Sequence, residues 1–310
     1  MTRGAVADCA VVVTRWSMHV PRGELEAVCG EHCARFIYSA DQASTVLGRK
    51  GLLGKEAATR MALGVVHTAF GTVAADRRRG PADPRVAVIV SSNLGNVATV
   101  QNIALTLRRS GIRDVSPLDA PNASSNIIAS TIAIWFGFGG PNLTICSGAK
   151  AGLDAVALGC VLLRSRRAER VVVVGVEPDD ASAAALYAQG TRPPRTLCAA
   201  AAAVVLERAD AQNDGCPVVT PFIFSKVSHT AAERADNSIV TGASRVILLD
   251  TLIGDTYGAC GVLQIAIAAA LISGATDEQS AMARISCGSV EDGWGRAQLQ
   301  SRAIQRKEIG

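Results

Sequence analysis

The 310-residue sequence lacks a strong charge of either sign, a cysteine framework and an uninterrupted apolar run. Each absence narrows what the chain can do. Lysine and arginine (31) barely outnumber aspartate and glutamate (27). The basic residues are scattered; the densest runs, Arg77 to Arg79 and Arg164 to Arg167, read as solvated helix ends or loops. Nucleic acid is therefore not an expected partner. Nine cysteines follow no framework spacing, and Cys9, Cys160 and Cys198 adjoin apolar runs. They read as small buried hydrophobes of a reducing, cytoplasmic compartment. Cys29 and Cys33 flank His32, but no second pair completes a metal site, so neither metal nor cofactor is expected. Asp8 beside a short apolar stretch does not read as a signal peptide. The longest apolar stretch, 257–275, is interrupted by glycines and Gln264. It predicts a buried core helix rather than a membrane span, which needs about 20 apolar residues.

What is there is aliphatic. Residues are 49% hydrophobic and only 4% aromatic, enough for one large core or two fused half-cores. Short β-branched runs at 10–13, 85–91, 143–146, 170–175 and 202–206 predict buried strands. Between them, 55–74, 97–109, 124–136 and 148–163 predict helices. In the last, Leu153, Val156, Ala157, Cys160 and Val161 share one face, yet the opposite face is also nearly apolar. A helix apolar all round is enclosed by protein. Strands alternating with such helices predict an α/β layered fold with a central helix pair between sheets. After a surface loop at 213–217 the order restarts, with strands at 217–224, 245–249 and 283–287 and a turn and helix at 254–272. Two halves are expected, 1–212 and a brief 213–310.

The stretch from Asn126 to Glu177 reads NIIASTIAIWFGFGGPNLTICSGAKAGLDAVALGCVLLRSRRAERVVVVGVE. It resembles the β-ketoacyl synthases of the thiolase superfamily. Gly139-Gly140-Pro141-Asn142 opens the strand before a nucleophile elbow, Gly152 sits in the following helix, and VVVVGVE closes the unit. Weaker similarity covers Lys50-Gly51 with its alanine-rich helix, and Gly254 to Gly261. The resemblance implies a five-layer αβαβα thiolase-like fold with a shortened C-terminal half. In such an elbow the helix dipole lowers a thiol pKa and frees the thiolate. Ketosynthases place that cysteine nine residues after the residue matching Gly140; here the position is Ala149, whose methyl group cannot accept an acyl chain. Decarboxylative condensation also needs two imidazoles beside the developing oxyanions. The family's Gly-His-x-x-Gly turn is matched by Gly254-Asp255-Thr256-Tyr257-Gly258, so Asp255 replaces a histidine. The His-Gly-Thr loop has no counterpart. Of His19, His32, His67 and His229, only His229 falls in the right half, and it reads as a loop residue. CGSVEDGWG, at 287–295, is acidic where the family's gating loop is apolar.

Among ketosynthase relatives, the chain length factors of type II polyketide synthases share this pattern, including the Gly152-Leu153-Asp154-Ala155 that follows the elbow. That resemblance implies a heterodimer with a catalytic ketosynthase, served by an acyl carrier protein, in which this chain walls an acyl tunnel. No catalytic residue and no membrane partner are then expected. The helix near Val97–Arg109 would set tunnel depth, with Thr99, Asn102, Ile103 and Thr106 on the relevant face; the alternative is that these are ordinary helix surface. The chain departs from many such factors by having alanine, not glutamine, at the elbow. Much of the segment between 206 and 254 is also missing, so a pocket floor is either open or supplied by the partner. Asp255 has a structural alternative, capping a helix through backbone N–H groups. Two other functions stay open: an acyltransferase using Cys146, which lies short of the turn and lacks an evident base, or a malonyl decarboxylase.

Overall fold

The computed structural model describes residues 10–20, 40–71, 81–190, 195–220, 222–225, 237–241, 245–276 and 280–302. Its strands are β1 (Val11–His19), β2 (Val86–Ser91), β3 (Asn142–Ile145), β4 (Arg170–Glu177), β5 (Ala200–Arg208), β6 (Val218–Val219), β7 (Ile223–Ser225), β8 (Ser238–Thr241), β9 (Arg245–Leu248), β10 (Met282–Ser289) and β11 (Gly293–Gln300). Its α-helices are α1 (Ala43–Leu47), α2 (Ala57–Phe70), α3 (Val97–Arg109), α4 (Ile127–Phe136), α5 (Ala151–Arg164), α6 (Ala181–Tyr187), α7 (Leu249–Ile253) and α8 (Cys260–Ser273).

All these strands join one mixed sheet in the order β3-β2-β4-β5-β1-β6-β11-β10-β8-β9, with β7 beside β11. β3, β2 and β4 run parallel, and β5 and β1 are antiparallel to their neighbours. Alternation along these strands builds two cores. Ala87, Ile89, Val171, Val173, Val204 and Leu206 face one core with α5 and α8. Val86, Val88, Val90, Val172, Val174 and Ala203 face the other with α1, α2 and α4. Burial on both faces is why these strands read as unbroken apolar runs. In β1 the pairing register shifts between Val13 and Arg15. Such a bulge reverses the alternation, so Met18 joins the core of α5 and α8 while Ser17 donates to the Val65 carbonyl of α2.

The helix pair α5 and α8 forms the central layer, and α8 touches strands on both sides of it. All but two of the fourteen residues of α8 are buried, as the sequence predicts. The two helices cross at glycines. A Cβ on Gly152 would come within 2.8 Å of the Gly261 backbone, and one on Gly261 within 2.5 Å of the Leu153 nitrogen. Only backbone fits there.

Several expectations change. The strand near 143–146 is not buried: β3 is the edge of the sheet, Leu143 is 37% exposed and Cys146, just beyond the strand, is exposed. An edge strand lacks a neighbour on one side, so its apolar residues reach the surface. Helix α5 is enclosed over most of its length, but Val161 emerges at its last turn, 55% exposed, beside the solvated Arg164, Arg166 and Arg167. The strand expected at 217–224 is two short ones, β6 and β7. Residues 287–295 form the tight hairpin of β10 and β11 rather than an open loop. Among the described residues no helix is long and apolar enough to cross a membrane, and no His, Cys, Asp and Glu group could hold a metal. Cys9, Cys29, Cys33, His32, His229 and Arg77 to Arg79 lie outside the described residues.

Candidate functional site

The turn between β3 and α5 carries the candidate site. β3 runs parallel to β2 and delivers the chain to a 3-10 turn at Gly148–Lys150, which passes directly into α5. Gly148 lies at φ 75°, a conformation that side chains disfavour, and a Cβ there would fall inside the Asp292 carboxyl group.

Two neighbours fix the turn. From the segment after β2, Asn93 Nδ2 donates to the Gly148 carbonyl at 3.1 Å, and Asn93 Oδ1 accepts from the Gly148 N–H at 3.0 Å. Asn93 is anchored in turn by Glu177, at the end of β4. That carboxyl accepts from the N–H groups of Asn93 (2.7 Å) and Leu94 (2.9 Å), from Asn93 Nδ2 (3.1 Å) and from Ser92 Oγ (3.3 Å). Full burial pushes Glu177 up to about 7, against the opposing pull of these donors.

The second half of the chain supplies the other clamp. Asp292, in the hairpin between β10 and β11, accepts from the Ala149 N–H at 2.9 Å, and Ser289 Oγ donates to the same carboxyl oxygen at 2.9 Å. The Cys287 thiol donates to the Ala149 carbonyl at 3.0 Å. Beneath it, a hydrogen bond with Cys287 and complete burial push the Cys260 thiol up. Ala149, 4% exposed, therefore presents only a methyl group, and both of its backbone polar groups are engaged.

Asp255 is 5% exposed and does not face Ala149 as a free anion. Its Oδ1 accepts from the Tyr257 N–H at 2.7 Å, at the start of the 3-10 turn Tyr257–Ala259, and its Oδ2 accepts from Tyr187 Oη. Its backbone bridges to 196–198. The first contact closes an Asx turn ahead of the 3-10 turn, and Asp255 caps neither that turn nor α8 from its N-cap position. Cys146 Sγ donates to the Ser92 carbonyl at 3.1 Å, and surrounding protein and the Glu177 charge push that thiol up, the wrong direction for a nucleophile. His19 shares the Ser17 face of β1, toward α2, and His67 lies on α2 itself. His67 thus belongs to the outer helical layer and His19 to the sheet beneath it, whereas Ala149 opens the central layer.

Of the four residues singled out on α3, Thr99, Ile103 and Thr106 are half-buried along one stripe and Asn102 is exposed. The Thr99 N–H donates to Glu56 Oε1 at 2.8 Å, so a side chain from the start of α2 caps α3. No residue of α3 is fully buried, and Val100, Leu105 and Leu107 are exposed. A cavity of about 570 Å³ lies elsewhere, on the outer face of β8, β10 and β11, lined by Ser238, Val240, Arg284, Arg296 and Gln298.

The strand, turn and buried helix that carry Ala149 fall inside a sequence match. The family description "Beta-ketoacyl synthase, N-terminal domain" covers residues 38–209, more than half of the chain. The chain belongs to the β-ketoacyl synthase family. Over 94 residues it is 27% identical to 3-oxoacyl-[acyl-carrier-protein] synthase 2 of Coxiella burnetii, covering 30% of this chain and 23% of that protein. Over 93 residues it is 28% identical to the Vibrio cholerae protein of the same name, again 30% of this chain and 22% of the relative. The chain thus spans less than a quarter of the length of these curated relatives. Among solved structures, the ishigamide ketosynthase/chain length factor superposes with a TM-score of 0.72 at 20% identity, over 94% of this chain and 99% of that one. A β-ketoacyl synthase from Burkholderia phymatum gives 0.69 at 14% identity, with the same coverage. A type II PKS acyl-carrier protein in complex with its ketosynthase gives 0.70 at 16%, also with that coverage. The thiolase-like α/β fold expected from the sequence is borne out.

Sequence reasoning found Ala149 and Asp255 but not Asn93, Glu177, Tyr187, Cys287 or Asp292. Only Asp292 left a trace, in the acidic character of the 287–295 segment.

Proposed function

We propose that this member of the family is a non-catalytic partner of an active β-ketoacyl synthase, resembling a chain length factor in type II polyketide synthesis. One observation carries the reading: the elbow bears a methyl group at Ala149, and its N–H is already bonded to Asp292. Acyl transfer needs a nucleophile at that point and a free donor for the oxyanion. Asp255, engaged by Tyr187 and the Tyr257 N–H, supplies no imidazole chemistry.

The partner in this reading is a ketosynthase subunit with its cysteine intact, fed by an acyl carrier protein. The edge strand β3 and the helix α3 favour such a partner. Leu143 of β3, Val100, Leu105 and Leu107 of α3, and Ile134 of α4 at 84% exposure leave apolar side chains at the surface of these elements. Apolar surface of this kind marks protein interfaces. Thr99, Asn102, Ile103 and Thr106 would line the acyl tunnel there, short side chains leaving room for the growing chain. The reading keeps two halves, 1–212 and 213–310, and a cytoplasmic setting.

Co-expression tests it. The tagged chain should retain a cysteine-bearing ketosynthase through purification, and acyl substrate should label the partner and not this chain. A stable homodimer that ignores such a ketosynthase overturns the reading. Acylation at Cys146, found by peptide mass mapping, would replace it with the acyltransferase alternative.

A further inference from the structure

We infer that Asp292 is a second, independent block on acyl transfer: its carboxylate holds the place that the oxygen of an acyl group on residue 149 would need. The inference rests on the non-catalytic reading and names the residue that enforces it. The missing cysteine is the first block.

The geometry is that of an occupied anion site. Acyl transfer to residue 149 passes through a tetrahedral oxyanion that requires N–H donors at about 2.7–3.1 Å. In serine-protease-type sites the nucleophile's own backbone N–H is one such donor, which makes the Ala149 N–H the corresponding group here. Here the Ala149 N–H already meets Asp292 Oδ2 at 2.9 Å. The carboxylate also sits before the first turn of the fourteen-residue helix α5, where the helix dipole favours negative charge. A substrate oxyanion arriving there would lose its donor and meet a like charge.

The carboxylate is held, not swung in by chance. Ser289 Oγ donates to the same Oδ2, and the Asp292 N–H donates back to Ser289 Oγ at 3.1 Å. The β10–β11 ladder pairs every residue from Met282↔Gln300 to Ser289↔Gly293, so the hairpin end has a fixed position. On the opposite side the absent side chain of Gly148 leaves the room that the carboxyl fills. Turn and carboxyl are shaped to each other. A thiol placed at 149 would thus acquire a neighbouring anion that raises its pKa and an elbow whose amide is taken.

The test uses the whole 310-residue chain in four forms: wild type, A149C, A149C/D292N and A149C/D292G. Each is offered the N-acetylcysteamine thioester of hexanoic acid. In the step sought, the thiolate introduced at position 149 bonds to the acyl carbon and the carbonyl pair moves to oxygen. The pair then returns as the donor C–S bond breaks, and N-acetylcysteamine leaves as a thiolate that takes a proton from water. Peptide mass mapping scores residues 146 and 149 separately, and iodoacetamide alkylation at varied pH gives the titration midpoint of residue 149.

The expected result is slow acylation of A149C, with at least about a tenfold gain in A149C/D292G. The alkylation midpoint should fall by about one pH unit or more from A149C to the near-isosteric A149C/D292N. If A149C/D292G fails to fold by circular dichroism, the A149C/D292N midpoint decides. Equal acylation rates and equal midpoints with and without Asp292 overturn the inference and leave the partner reading standing. An adduct on Cys146 of the wild type does the reverse.

Discussion

The two ends of the sheet are built differently. From β3 to β1, strands lie between α2 and α4 on one face and α5 and α8 on the other, and β2 and β4 are buried almost throughout. From β11 to β9, α8 covers one face, and among the described residues no helix covers the other. There burial alternates, as in Arg284 exposed beside buried Ala283 and Ile285, and β9 is exposed at three of its four positions. A substitution in the first region removes contacts on a filled face, whereas half the positions in the second face outward.

The largest effect should come from the doubly covered strands. Leu206, fully buried against Gly159 of α5, leaves a cavity when cut back. Leu206→Ala should cost about 2–5 kcal/mol in urea unfolding. A cost below about 1 kcal/mol would break the contrast. Next comes the charge buried at the end of β4. Because Glu177 is raised from 4.5 to about 7, the folded chain holds its proton more tightly than the unfolded chain does. Its contribution is therefore complete below about pH 4.5 and is lost as pH rises through 7, by up to about 3 kcal/mol. Unfolding midpoints between pH 4.5 and 8 should show that decline in the wild type, and E177Q should flatten it. The smallest effect belongs to the outward face of β9, where Val246 is 54% exposed. Val246→Ala should stay within about 0.5 kcal/mol, and a larger loss would mean that face is covered.

The same contrast governs how much was legible in the sequence. Doubly buried strands announce themselves, so β2, β4 and β5 matched within a few residues, and α3 matched from Val97 to Arg109. The second region hid β8 and β11. Ser-Ile-Val-Thr is short, and Gly293 to Gln300 mixes glycine with polar residues that alternate only once pairing with β10 is known. Helix α6 was missed although Asp180 caps it from the side chain, accepting from the Ser182 and Ala183 N–H groups; its alanine-rich run carries no periodic stripe. At the site, Ala149 and Asp255 were readable because they replace expected residues. The Asp292 contact joins positions 143 apart, a separation no local pattern encodes.

Strand β6 has a consequence of its own. The eleven described strands form one sheet only because Val218 and Val219 bridge β1 on one side and β11 on the other. The sheet is thus waisted, and two residues are too few to carry load between its lobes. That task passes to α8, the rod that touches strands of both lobes, and to the Gly152–Gly261 contact that clasps it to α5. Unzipping the waist would leave two separate ladders still strung on one spindle.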